Sequence, residues 1–216
     1  MLGKAIKIFI LKKADMKKTP LLLIFLFVQI IVFGQEKLVK DIDNDGKKDT
    51  VYVDVTKSTI VCRLSINNYK PIQSKPIEIL NETSGVKPTK NGFYFSNDWM
   101  RAGYRNQFRY NAQTKKIQLI GMSRYEFGNA ANDGSGESSV NLLTSDYIGN
   151  WNYYDEAANK GKGELVSIPT IKTKMKFAVI NLEDFNDETY FNYAERCSDL
   201  YYTQKDAKKT GSRKKK

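Results

Sequence analysis

Between residues 51 and 181 the chain is a succession of short runs rich in β-branched and aromatic residues, separated by clusters of Asn, Gly, Lys and Pro. Side chains on a strand alternate between two faces, so runs of this kind suit a half-buried sheet. The pattern predicts strands over residues 51–55, 59–66, 76–80, 92–97, 105–110, 115–127, 138–143, 147–154 and 173–181. The clearest hairpin is "RYNAQTKKIQL", with its turn at residues 111–114. One helix is expected near the C-terminus, where Asn186 can cap and Asp187 and Glu188 in the first turn suit the helix dipole. No internal repeat of fixed period is present. The expected architecture is mainly β, an antiparallel sandwich or incomplete barrel with one C-terminal helix.

Ahead of this region lies a stretch with the form of a signal peptide. "MKKTP" from Met16 supplies a basic start, "LLLIFLFVQIIVF" an apolar run, and Val32, Phe33 and Gly34 the cleavage positions. The apolar run has 13 residues, short of the ~20 that a spanning helix needs. Removal is therefore expected, leaving no transmembrane anchor in a mature chain that begins at Gln35. Either Met1 or Met16 can serve as the start. The address implied is periplasmic or secreted, and the organisation is an upstream extension and signal peptide (1–34), a single β-rich domain (35–204) and a basic tail (205–216) expected to be disordered and dispensable for folding.

The formal net charge of +11 suggests a nucleic-acid partner until it is divided along the chain. Residues 1–34 hold 6 Lys and Arg against 1 acidic residue, and residues 205–216 hold 7 against 1. The body, residues 35–204, holds 22 of each sign. A nucleic-acid groove needs basic residues clustered on the domain itself, so no nucleic-acid partner is expected. For the tail, attachment to anionic envelope polymers or lipid head groups is the sharper alternative to a solvated end.

The stretch "DIDNDGKKDTVYVD" carries the most specific chemistry. Calcium takes six to eight oxygens, which a short loop supplies only when its carboxylates alternate and converge. Asp41, Asp43 and Asp45 stand at the first, third and fifth places, Gly46 permits a sharp turn, Lys47 can offer its backbone carbonyl, and Asp49 falls at the ninth. So many carboxylates in a tight loop repel one another unless a cation joins them. The stretch resembles the D-x-D-x-D-G-x-x-D calcium loop of the FG-GAP and VCBS repeats of integrin-type β-propellers, in which the loop leads into a strand. The resemblance implies a structural Ca2+; it covers about 14 residues in one copy, so it implies no propeller. An EF-hand would place Glu where Tyr52 stands, and would continue as helix.

Cys62 and Cys197 are the two cysteines. Alternation places Cys62 on one face with Ile60, Leu64 and Ile66, and helical spacing places Cys197 with Tyr190, Ala194 and Tyr201. A helix on that sheet face could bring the sulfurs together, so a disulfide is expected; the alternative is two buried thiols.

"NDWMRAGYRNQFRYN" interleaves Trp99 and other aromatics with Arg101, Arg105 and Arg109. On a strand, Arg105, Gln107 and Arg109 share one face, giving either a solvated surface paired with carboxylates or an anchor for a protein partner or acidic ligand. A Gly- and Ser-rich loop at residues 128–139 follows, carrying Asp133 and Glu137, with Trp151 and Tyr153 beyond it. Two carboxylates beside aromatics meet the minimum needs of a glycosidase, or the aromatics those of a glycan platform. The region from Trp99 to Tyr153 resembles exported bacterial proteins, a resemblance that brings no activity with it. No histidine is present, which removes Ser-His and Cys-His pairs and the usual zinc sites. The functional expectation is a calcium-binding module that contacts an envelope or secreted protein, in the manner of an inhibitor or immunity protein, with no catalytic residues assigned. The alternative is a carbohydrate-binding or glycoside-hydrolysing envelope protein.

Overall fold

The computed structural model describes residues 36–213, and side chains to residue 210. The proposed signal peptide and its cleavage positions lie outside the described residues. Two antiparallel sheets form, and neither closes into a barrel. The smaller has the order β1 (Leu38–Lys40), β2 (Asp49–Asp54), β3 (Thr59–Arg63) and β4 (Pro71–Gln73). In the larger, β5 (Gly85–Thr89), β6 (Gly92–Asp98), β7 (Ala102–Asn111), β8 (Lys116–Glu126), β9 (Gly136–Asn141) and β10 (Asp146–Asp155) pair in sequence order. Beyond them β11 (Glu164–Ser167) and β12 (Ile171–Lys174) share the outer side of β10. The expected hairpin is there, with its turn between β7 and β8.

Alternation decides the core. On β7, Tyr104, Asn106, Phe108 and Tyr110 are buried; on β10, Tyr147, Trp151 and Tyr153 are. Gly149 sits between Tyr147 and Trp151 on that buried side, where a Cβ would lie 2.4 Å from the Tyr147 hydroxyl. The long helix, Asp187–Arg213, covers this face. Tyr190 stacks on Tyr104 with centroids 4.0 Å apart, and the Tyr193 hydroxyl meets Ser138 Oγ at 2.8 Å. Among the described residues no helix is long and apolar enough to cross a membrane.

Three expectations need correction. Residues 76–80 and most of 173–181 form no strand: Pro76 has no N–H for a ladder, and the Glu78 amide instead donates to Asp187 Oδ2 at the helix start. Second, the helix does not stop at residue 204. Lys205 pairs with Asp133 at 3.1 Å, Lys208 Nζ donates to the Ser167 carbonyl at 3.0 Å, and Lys209 lies over the Tyr153 ring. Residues 205–213 are thus helical, with the side chains of Lys205, Lys208 and Lys209 drawn onto the sheet; residues 214–216 lie outside the described residues.

Third, Cys62 and Cys197 are free and buried, with no disulfide between them. The segment that reaches the small sheet is the turn before the helix, where Lys75 N donates to the Phe185 carbonyl at 3.0 Å. Cys197 lies ten residues beyond the helix start, about 15 Å along its axis, against Ser138 of the large sheet at 3.4 Å. Burial and the Asp49 and Asp43 carboxylates push the Cys62 thiol well up, which keeps it protonated and inert. Two thiols are expected to titrate once the protein is denatured, and reductant should leave its thermal unfolding unchanged. No titratable thiol in the denatured protein, or a lower melting temperature under reductant, would contradict the unbridged pair.

Candidate functional site

The acidic loop joins β1 to β2. Gly46 takes φ +84° in open space, so the backbone conformation and not crowding calls for glycine. The turn brings one oxygen each of Asp41, Asp43 and Asp49 within 4.8 Å of one another. Asp49 is fully buried and Asp43 nearly so. Asp45 and Lys47 stand on the exposed rim.

Backbone amides hold these carboxylates in place. Asp49 accepts from the amides of Ile42 (2.6 Å), Asp43 (3.2 Å) and Ser65 (2.7 Å). Asp41 accepts from Asn44 and Gly46, at 2.7 and 3.0 Å. Asp43 accepts from Asp45 and Ile66, and Asp45 from the Lys47 amide and the Ser65 hydroxyl. A carboxylate has about four lone-pair sites, so two remain on Asp41 and Asp43 and one on Asp49. All the converging donors are oxygens, the set a hard divalent cation takes. Burial, and then the neighbouring Asp49 and Asp45 charges, push the Asp43 carboxyl up despite the amides that favour its ionised form. The residues therefore fit a hard cation such as calcium, and Asp41, Asp43 and Asp49 are the ones that would hold it.

Ser65 is the residue that the sequence reading missed. It follows β3 and bridges back twice, its amide to Asp49 and its hydroxyl to Asp45, so the loop is welded to the small sheet. Its signal was the β2–β3 register, in which Thr50 faces Arg63 and carries the chain past Asp49.

The other candidates separate onto two faces. Trp151 and Tyr153 are buried beneath the helix, and Trp99 packs on Tyr104 and Tyr190 at 5.4 and 5.6 Å. Trp151 and Tyr153 are core and Trp99 is half-buried against it, so the three form no exposed glycan platform. Arg101 is also occupied, its guanidinium donating to the carbonyls of Phe127, Gly128 and Asn129. Asp133 faces the helix, accepting from the Tyr154 amide (2.7 Å), the Tyr201 hydroxyl and Lys205. Glu137 points to the opposite side of the sheet, between Tyr125 and Asn150. A glycosidase needs both carboxyls on one bond, and this pair is divided by the sheet.

Arg105 and Arg109 lie on the open face of the large sheet. Arg105 stands opposite Ser96 and Ser123, and Ser139 and Ile148 continue the row. With Gly121, the two serines on β8 and β9 make a low floor under hollows of about 650 and 580 Å³. Tyr94 supports the Arg105 guanidinium from 5.5 Å. Neither arginine has an ion pair among the described residues.

Asp49→Ala would strand three buried amides, each worth about 1–3 kcal/mol; unfolding in denaturant should show a loss of at least about 3 kcal/mol. At Asp133, burial opposes ionisation, but the Tyr154 amide and Lys205 outweigh it and hold the carboxyl below its ordinary 3.8. A depressed carboxyl stabilises in its ionised form, so its contribution is complete above pH 3.8 and disappears as pH falls through the lower native value. Asp133→Asn should thus lose about 1 kcal/mol at neutral pH, and the gap from the parent should close in acid.

The chain matches no protein-family model, no curated protein and no solved structure.

Proposed function

We propose that this protein is an exported, calcium-binding β-domain that acts as a binding module for an envelope or secreted protein presenting carboxylates. The observation that carries the reading is the pair Arg105 and Arg109, two guanidiniums without carboxylate partners among the described residues, on an uncovered sheet face. Arginine's planar fork matches carboxylates, and arginine is enriched where interfaces concentrate their energy. The low floor between these side chains and Ile148 leaves room for a partner segment to approach the strands. An inhibitor or immunity-type role is the form such a module would take. In this reading calcium is structural: it would join Asp41, Asp43 and Asp49, and through Ser65 fix the loop to the small sheet.

The two halves have separate tests. At ~100 times its dissociation constant calcium adds roughly 2.7 kcal/mol to the native state, so chelator should lower the melting temperature of the parent and leave an Asp43→Ala, Asp45→Ala variant unmoved. No shift in the parent would remove the ion. An oligoglutamate peptide titrated onto the full chain at low salt should bind, and the Arg105→Ala, Arg109→Ala variant should weaken it by roughly tenfold with its calcium response intact. Equal affinity in that variant would remove the open face as the contact surface.

A further inference from the structure

The two hollows on the open face of the large sheet are continuous, since Arg105, Ser123 and Ser139 line both. Together they make a trough along β7 and β8, with Arg109 at one end and Phe127 at the other. The ends differ in chemistry. At the first, Arg105 and Arg109 have no ion pair among the described residues. At the second, Phe127 is 52% exposed and its ring centre lies 5.5 Å from that of Tyr125, while Ile148, 43% exposed, borders the same hollow. Tyr125 is held in place: its hydroxyl donates to Asp98 at 3.1 Å, and its ring crosses β7 over Gly103, where a Cβ would come within 2.6 Å of it. A fixed ring offers contact area at little further cost in side-chain freedom.

Charge gives the trough a polarity. Asp98, Tyr125 and Glu137 stand in one row across the sheet, so a carboxylate is repelled at the aromatic end and drawn to the arginines. The strands also set a spacing. Arg105 and Arg109 are four residues apart on β7, which at a rise of ~3.4 Å is about 14 Å. Arg105 stands opposite Ser123, and Phe127 comes four residues after Ser123, about 14 Å farther along the trough. An extended chain has the same rise and shows every second side chain to one side, so its positions i, i+4 and i+8 fall on Arg109, Arg105 and Phe127 in turn.

We propose that the trough holds an extended segment of the partner protein, two carboxylates four residues apart taken by Arg109 and Arg105, and an aromatic side chain four residues beyond them seated against Tyr125 and Phe127. This pattern in the partner rests on the reading of the open face as its contact surface.

The capped peptide Glu-Ser-Thr-Ser-Glu-Ser-Thr-Ser-Phe and its reverse cover both chain directions, each beside a form with Ser in place of Phe. Titrated by calorimetry onto the full chain at low salt, one direction should bind roughly tenfold more tightly with Phe than with Ser. Phe127→Ala, at an exposed side chain, should remove that gain and leave the affinity for the Ser form unchanged. Arg105→Ala, Arg109→Ala should weaken both forms. Equal affinity of the Phe and Ser forms in both directions, with the arginine dependence intact, would overturn the aromatic seat and leave the contact surface standing. No binding by any of the peptides would remove both. A gain that survives Phe127→Ala would also overturn the proposal. Chitohexaose, titrated in parallel, should not bind, and the chain should not self-associate; either event, abolished by Phe127→Ala and in place of the peptide gain, would give the aromatic end to a glycan or to a second copy.

Discussion

One long helix lies against eight strands, and it can cover only one of their faces. That constraint sorts nearly every residue of the large sheet. On the covered side the strands must offer apolar bulk, and they do so with Phe93, Phe95, Phe108, Trp151 and a set of tyrosines whose hydroxyls need partners. The helix meets them with its own tyrosines, so the interface is apolar in its bodies and hydrogen-bonded at its tips: Tyr193 to Ser138, Trp151 to Tyr147. On the uncovered side the same strands carry Arg105, Gln107, Ser123, Glu137, Ser139 and Asn150, which tolerate water. The features available for recognition lie on the uncovered face.

Much of this was legible in the sequence because a period of two is hard to mistake over ten residues. β7 and β10 are long and alternate, β8 does so on either side of a register shift opposite Gln107 and Phe108, and the positions of Arg105 and Arg109 opposite Phe108 and Tyr110 follow from the alternation of β7. The short edge strands β1, β4, β5 and β11 were not legible, since three to five residues carry too little periodicity to register. The helix start was signalled by Asp187 and Glu188; its end was obscured because a lysine-rich segment reads as a solvated tail unless its counter-charges and acceptors, here Asp133 and the Ser167 carbonyl, are known.

At the sites the division is similar. The carboxylates of the acidic loop are local, and spacing is enough to bring Asp41, Asp43 and Asp49 together. Ser65 joins from 16 residues away and depends on the β2–β3 pairing. Trp151 and Tyr153 were taken for an exposed platform because aromatic residues beside a glycine-rich loop look alike whether they face solvent or a helix; the phase of β10 decides it, and a slip of one residue would exchange the faces. The unbridged cysteines show the same limit. Each was placed correctly on an apolar surface, but there are two such surfaces, and the helix is long enough to reach only one with residue 197.

From β5 to β10 each strand pairs with its neighbour in sequence, so the sheet can grow hairpin by hairpin as a sequence of local closures. The helix that covers its apolar face comes after all of them. During synthesis or translocation from the N-terminal end the paired sheet would therefore display Trp151, Tyr153 and the phenylalanines until residues 187–205 arrive. The vulnerable period in the life of this chain is the interval before its last element docks, and the contact between Lys205 and Asp133, 72 residues apart, marks its close.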